Sequence, residues 1–337
     1  MPRTTISDVA KAAGVSIATA SKALNNTGNI SADTVRRVSE AAERLGYRPN
    51  RAAQLLAGKN KHIGILMPDE PASVYGLFRQ GLDEAMAEYG EYGFRATLVQ
   101  YARKNDREEF MPKLKALAAS TNGLIFVGGY HIDEYIDEVR RITIPKVSMQ
   151  VAVDESVSPS VVVDEEGEGR LAANFLSFCC KRAAMIVGDR RINLHRRNIE
   201  SFTAEAASRG LVVTSVDDSF DEYDTARRLT ERLLESDLPD GIYTSSYVAP
   251  AICAVLRERG MAGKIRVIGV DIFDDTAECL RDGSLSASIW QNQPLQARRA
   301  VELLISLMRG EHGVSVRIKP ELVLASALAH YTNYQAT

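Results

Sequence analysis

Two sets of side chains in this 337-residue chain have the types and spacing to do chemistry. The first is spread along the chain, just beyond strand-like runs: Tyr75, Tyr130, Gln150, Asp164, Tyr247, Asp271 and Gln291. In a doubly wound parallel sheet, ligands bind outside the carboxyl ends of the strands. Carboxylates and amides gathered there suit a polyhydroxyl molecule, whose hydroxyls both donate and accept, while a flat aromatic covers its C–H face. For any one such residue taken alone, a loop cap or turn is the commoner role. The second set is local. Ser16, Ile17, Ala18, Thr19, Ser21 and Lys22 open a short helical pattern directly after Gly14, which can stop a preceding helix in the left-handed conformation. Two helices joined by such a turn are the helix-turn-helix arrangement, in which the second helix brings its first residues to base edges in the major groove. Ile17 and Ala18 are apolar where solvent is expected, which suits thymine methyls; the hydroxyls and Lys22 suit phosphates or base acceptors.

Sets for covalent or metal chemistry are not signalled locally. The five His stand at 62, 131, 195, 312 and 330, and each reads as a surface or capped residue. Cys179, Cys180, Cys253 and Cys279 form no CxxC, so neither a zinc site nor a disulfide framework is expected. The vicinal Cys179-Cys180 reads as helix packing. Gly167-Glu168-Gly169-Arg170-Leu171-Ala172 formally fits the dinucleotide pattern G-x-G-x-x-A, with Asp189 about the right distance on. Asp164, Glu165 and Glu166 lie between the strand and those glycines and would repel a pyrophosphate. A nicotinamide enzyme is therefore a remote alternative, and no cofactor or metal is expected.

The elements that must position these residues fall into two textures. Ser7 is expected to cap a helix over Asp8–Ala13, Ser16 a second through about Leu24, and Ser31 a third ending at Gly46. From His62 onward, strand-like runs alternate with helical ones: Ile63–Met67, Ala96–Gln100, Leu124–Val127, Lys146–Met149, Val161–Val163, Ala184–Val187, Ile242–Thr244 and Val267–Val270. Such alternation implies parallel sheets covered on both faces, and its length exceeds one comfortable core, so two α/β lobes are expected. Charge divides the same way. Residues 1–61 hold ten Lys/Arg against four Asp/Glu, and the remainder 31 against 40. A basic head on an acidic body suggests that the head alone meets a polyanion.

The residues of the head carry a family resemblance. Thr5-Ile6-Ser7-Asp8-Val9-Ala10, Ala13-Gly14-Val15-Ser16, Thr19-Ala20-Ser21 and Leu45-Gly46-Tyr47-Arg48-Pro49-Asn50, followed by Ala53-Gln54-Leu55-Leu56-Ala57-Gly58 and Ile63-Gly64-Ile65, resemble the lactose-repressor/galactose-repressor (LacI) family. The match is ordered over about the first 60 residues; the body resembles the family's effector domain with weaker motifs. The resemblance implies a helix-turn-helix domain over 1–49, a hinge helix and linker over 50–61, and a two-lobed, periplasmic-binding-protein-like effector and dimerisation domain over 62–337. It further implies operator contacts by Thr5 and Asn25 beside the second-helix residues, and by Asn50, Arg51, Ala53, Gln54, Leu56 and Ala57 of the hinge. Leu56 matches a leucine that wedges between base pairs in the minor groove, flanked by small residues that let two hinge helices approach. Asp271 matches an acid that commonly binds sugar hydroxyls, Asp164 matches an acid after the strand leading into the second lobe, and Gln291-Asn292 resembles a Gln-Asn or Gln-Asp pair of related periplasmic sugar binders. Three departures blur the ligand: Ser246-Tyr247 replaces Asn-Asp, Asn198 replaces an Arg while staying among the expected effector contacts, and Val151 replaces another. The effector is thus expected to be a sugar, polyol or sugar acid, with Arg190, Arg191 and Arg197 near enough to pair an anion. The implied protein is a cytoplasmic repressor of carbon metabolism that binds a pseudopalindromic operator. No leucine-heptad tail follows Tyr331, which favours a dimer over a tetramer. A solute-binding protein is the main alternative, against which stand the basic head and the lack of a signal-peptide pattern.

Overall fold

Residues 5–24, 30–45, 61–103, 106–128, 131–236 and 238–332 are described by the computed structural model. Helix α1 (Ile6–Ala13) is opened by Thr5 rather than by Ser7. The Asp8 carboxylate accepts from the Thr5 N–H at 2.8 Å and the Thr5 hydroxyl at 2.7 Å, so the Thr–Asp spacing outcompetes a Ser two residues further along. Gly14 ends the helix at φ 67°, and Val15 N–H returns to the Ala10 carbonyl at 3.0 Å. Ser16 caps α2 (Ile17–Leu24) by accepting from Thr19 N–H at 3.0 Å, and Ser31 caps α3 (Ala32–Arg44). Val9, Ala10, Ala13, Ala20, Ala23, Val38, Ala41 and Ala42 form the small core of this three-helix head.

The body holds two six-stranded sheets. The first lobe is built from β1 (His62–Pro68), α4 (Ala72–Gly90), β2 (Arg95–Tyr101), α5 (Asp106–Ser120), β3 (Gly123–Val127), α6 (Ile132–Arg140), β4 (Lys146–Met149) and β5 (Ser160–Val163). The chain then crosses over. The second lobe contains α7 (Glu165–Ser177), β6 (Arg182–Val187), α8 (Asn193–Ser208), β7 (Val212–Asp218), α9 (Tyr223–Ser236), β8 (Gly241–Tyr243), α10 (Ala249–Glu258), β9 (Arg266–Val270), α11 (Asp274–Arg281) and β10 (Ala287–Trp290). After β10 the chain recrosses: α12 (Gln293–Met308) packs on β3, β4, β5 and α4, and β11 (Val316–Ile318) extends the first sheet. A third crossing leads to β12 (Glu321–Val323), which pairs antiparallel to β10, and α13 (Ala329–Thr332) follows.

The orders β11-β5-β4-β3-β1-β2 and β12-β10-β9-β8-β6-β7 are the same plan twice, parallel except at β12. Continuous burial of Ile63–Met67, Leu124–Val127, Ala183–Val187 and Val267–Val270 follows from helices on both faces. In each sheet the order reverses beside its first strand, at β1/β3 and β6/β8, which places a crevice at those carboxyl ends.

The glycines of the dinucleotide-like pattern have another cause. Gly167 and Gly169 lie inside α7 rather than in a strand-to-helix turn. A Cβ on Gly169 would lie 2.4 Å from the Asn198 carbonyl oxygen of α8 and 2.2 Å from Ser201 Oγ, so the absent side chain is what lets the two helices touch. Gly169→Ala should therefore destabilise the chain, by roughly 1–3 kcal/mol in urea unfolding, against the ordinary helical preference for Ala. Gly76, exposed in α4 with open space around it, is the control: Gly76→Ala should stabilise by up to about 1 kcal/mol. Equal signs for the two substitutions would contradict the packing assigned to Gly169.

Candidate functional site

Both lobes contribute to a cavity of about 90 Å³ at the carboxyl ends of their strands. One ordered water needs on the order of 10–15 Å³ by the same measure, so this space fits one small polar molecule. Pro68, Pro71, Val74, Tyr75, Arg103, Gln150 and Val151 line it from the first lobe; His195, Asp221, Ser245, Ser246, Tyr247 and Asp271 line it from the second, with Gln291 at the crossing after β10. A wider vestibule of about 860 Å³, bordered by Glu70, Asp106, His131, Asp189, Arg191 and Glu222, leads outward.

The backbone at this cavity is unusual. Gln150 (φ 68°), Asp221 (φ 60°) and Asp271 (φ 62°) all take the left-handed conformation, as do Phe220 and Asn292, the cap of α12. Such residues cost about 1–3 kcal/mol each unless the surroundings hold them, and they concentrate where a side chain must be aimed. Asp271 is held by its N–H on the Ile289 carbonyl at 2.8 Å and by Ser288 Oγ donating to its carbonyl at 2.5 Å. Burial pushes its carboxyl up to about 7, although the Gln293 side chain and the Gln291 N–H pull the other way.

Opposite it, an ion pair spans the cleft. The Arg103 guanidinium, two residues past β2, donates to the Asp221 carboxylate, three residues past β7, and its other nitrogen lies 3.5 Å from Tyr247 Oη. Ser246 Oγ donates to Asp221 Oδ1 at 2.7 Å and Tyr247 Oη to the Asp221 carbonyl at 2.7 Å. Burial alone would raise the Asp221 carboxyl; the neighbouring His195 ring and Arg103 guanidinium, with the hydrogen bonds from Ser246 and Arg103, outweigh it and hold the group below the usual carboxylate range. His195 shares a 2.9 Å hydrogen bond between Nδ1 and Ser245 Oγ, and burial lowers its pKa against the pull of the Asp221 carboxylate.

Several expected residues are placed elsewhere. Asp164 caps α7 by accepting from Gly167 N–H at 3.0 Å and lies outside the cavity lining. Asn198 is fully buried behind the cavity floor, donating to Glu168 Oε1 at 2.7 Å and accepting from Tyr243 Oη at 2.8 Å. Arg190, Arg191 and Arg197 pair with Asp218, Asp189 and Glu166 respectively. Tyr75, Gln150, Tyr247, Asp271 and Gln291 are brought together at the cavity, and Tyr130 lies outside the described residues.

In the head, Ile17 (53% exposed), Ala18 and Lys22 face solvent on α2, with Ser21 half-buried. The Ser16 and Thr19 hydroxyls are 2.8 Å apart and committed to the cap. Asn25, Asn50, Arg51, Ala53, Gln54, Leu56 and Ala57 lie outside the described residues. Among the described residues, no group of His, Cys, Asp and Glu could hold a metal ion, and no helix is long and apolar enough to cross a membrane.

Residues 5–50 match the family described as bacterial regulatory proteins, lacI family, and residues 63–312, most of the chain, match the periplasmic binding protein domain. The chain belongs to the LacI family. Among its relatives, catabolite control protein A of Priestia megaterium is 27% identical over 278 residues, covering 79% of this chain and 82% of that protein. The HTH-type transcriptional regulator DegA of Bacillus subtilis (strain 168) is 27% identical over 296 residues, covering 85% and 84%. Among solved structures, GanP, a glucose-galactose binding protein from Geobacillus stearothermophilus, superposes with TM-score 0.72 at 19% identity over 80% of this chain and 99% of GanP. A complex of the transcriptional regulator CelR with cellobiose superposes with TM-score 0.64 at 21% identity over 96% and 100%. This LacI-family chain is a DNA-binding transcriptional regulator with a periplasmic-binding-protein-like body, as its sequence implies.

Sequence reasoning missed Arg103, His195 and Asp221 in the regulator's cavity. Arg103 was within reach of the strand-end rule, because it follows β2. Asp221 follows an edge strand whose Thr214, Ser215, Asp217 and Asp218 disguise it as a loop.

The regulator also carries an acid that its motif gave no reason to notice. Glu168 is fully buried and receives Asn198 Nδ2, Tyr243 Oη at 2.9 Å and Gln291 Nε2 at 2.7 Å. Tyr243 has one proton to give and two oxygens in reach; a protonated Glu168 that donates to Tyr243 Oη frees it for Asn198 Oδ1 and satisfies all three groups. Burial accordingly raises the Glu168 carboxyl to about 8. The unfolded chain then loses this proton first, so the stabilisation is complete below about pH 4.5 and is lost as pH rises through about 8. Chemical denaturation of wild type and Glu168→Gln across pH 5–9 should show wild type losing on the order of a few kcal/mol relative to the variant. Parallel profiles would mean that Glu168 is ionised in the fold.

Proposed function

We propose that this regulator is a cytoplasmic homodimeric repressor of genes for carbohydrate or related carbon metabolism, whose hold on a pseudopalindromic operator is set by a small hydroxyl-rich ligand in the interlobe cavity. The observation that carries this reading is the convergence of Gln150, Asp221 and Asp271, each in a left-handed backbone, on a cavity lined by both lobes. Residues held at a cost in backbone strain are aimed at something. The relative DegA is named an HTH-type transcriptional regulator, and several structural neighbours are sugar-binding proteins or sugar complexes, among them GanP and the CelR–cellobiose complex.

The division of labour follows the expected boundaries: 1–49 reads the major groove through α2, 50–61 forms the hinge and linker, and 62–337 senses ligand and dimerises. One recognition helix covers only a few base pairs, so two related by a dyad are needed for an operator-length site. Thr5, Asn25 and the hinge residues Asn50, Arg51, Ala53, Gln54 and Ala57 supply further operator contacts, and Leu56 the minor-groove wedge. A hinge this short is a weak helix alone, which suits an order–disorder element that forms on DNA. Ligand closing the lobes shifts the geometry of the paired hinges, with a coupling limited to the ligand's preference for one state, typically about 1–3 kcal/mol.

Two substitutions test the two ends. Leu56→Ala should weaken operator binding roughly tenfold or more in a gel-shift assay while leaving random DNA and the salt slope nearly unchanged, because no charge is removed. Equal losses on both DNAs would reject the wedge. Asp271→Ala should leave ligand-free operator affinity intact but raise the sugar concentration needed for half-maximal response by roughly tenfold or more. A response at the wild-type concentration would reduce Asp271 to a loop residue and remove this cavity from the account.

A further inference from the structure

Arg103 is the sole Lys or Arg among the described residues lining the cavity. Its charge is already answered. The Asp221 carboxylate accepts from it across the cleft, and that carboxylate is only 5% exposed. Asp221 cannot easily swing away. Its backbone is left-handed at φ 60°, its carbonyl accepts from Tyr247 Oη at 2.7 Å, and its other carboxylate oxygen accepts from Ser246 Oγ at 2.7 Å. Moving the acid aside would strand a buried charge and two hydroxyl donors together. The rest of the lining is rich in acceptors. Gln291 commits Nε2 to Glu168, which leaves Oε1 as the amide atom available to the cavity, and Asp271 adds a carboxyl. His195 engages Ser245 through Nδ1 and stands 3.8 Å from Asp221 through Nε2.

We propose that Asp221 is the specificity-determining residue that makes this cavity select uncharged hydroxyl-rich molecules and exclude sugar acids and sugar phosphates, by occupying the guanidinium an anion would need. An anionic ligand entering the cavity meets a neutralised arginine and two carboxyl groups at close range in a low-dielectric space, where like-charge contacts cost most. A neutral polyol meets the same acceptors with donors. The inference rests on the ligand site proposed above, and it removes sugar acids from the expected ligands.

The full-length chain can be tested by thermal shift at constant ionic strength, which holds nonspecific screening fixed. The neutral probes are D-glucose, D-galactose, D-ribose, myo-inositol and cellobiose; the anionic probes are D-gluconate, D-glucuronate and D-glucose 6-phosphate. Wild type should be stabilised by at least one neutral probe and by none of the anions. Asp221→Asn and Asp221→Gly, both tolerant of a left-handed backbone, release Arg103 and should gain stabilisation by at least one anion, roughly 2 °C or more at tenfold excess over its Kd. Stabilisation of wild type by any of the anions overturns the proposal, and so does failure of folded Asp221 variants to gain one. If neither variant folds, the wild-type anion result decides alone. A wild type indifferent to every probe, neutral and charged, would instead count against the ligand site itself.

Discussion

The chain passes between its two sheets three times, and that constraint governs the rest of the molecule. The crossings run through Asp164, through Gln291-Asn292, and between β11 and β12. Because of them neither lobe is a closed unit of sequence. α12 begins at the second lobe's last parallel strand and packs on the first lobe's sheet; β11 completes the first sheet only after the parallel strands of the second, and β12 completes the second only after β11. Two sheets joined this way can rock about the crossings without breaking a strand pair, and the carboxyl ends of their strands enclose whatever sits between them.

The polar chemistry clusters where the crossings and the cavity meet. Gln291 lines the cavity, belongs to a crossing, and donates to Glu168 one turn into α7 beyond another crossing. The Asp164 N–H donates to the Ile318 carbonyl at 2.8 Å beside the third crossing, and Arg317 pairs with Glu165 at 2.7 Å. Cavity-lining residues and crossing residues are therefore neighbours, which is the physical requirement for a binding event in the cavity to bias the arrangement of the lobes. The left-handed residues at the cavity fit the same picture: their strain is held by hydrogen bonds that packing alone would not demand.

How much of this was legible in the sequence depends on whether burial writes a pattern. Fully buried parallel strands such as Ile63–Met67 and Val267–Val270 show as continuous apolar runs, and the strand ends lead directly to Tyr247, Asp271 and Gln291. Edge strands write no such pattern. β7 is half-exposed along its length and β11 and β12 have three residues each, so the periodicity that marks the interior is missing. Glu168 was hidden differently. Its neighbours Gly167 and Gly169 imitate a phosphate-binding turn, when Gly169 is there to let α8 approach. The side chains that distinguish this cavity, Arg103 and Asp221, come from opposite lobes 118 positions apart in sequence, a pairing no local motif encodes.

The central claim is that the interlobe cavity and the DNA-binding head are thermodynamically linked. Linkage is reciprocal, so the factor by which a ligand changes operator affinity must equal the factor by which operator changes ligand affinity. Calorimetric titration of the full-length protein with the most strongly stabilising neutral sugar, in the presence and absence of saturating operator duplex, measures this directly. The account predicts ligand dissociation constants that differ by roughly 5- to 150-fold between the two conditions, matching the shift in operator affinity. Identical constants in both would contradict it.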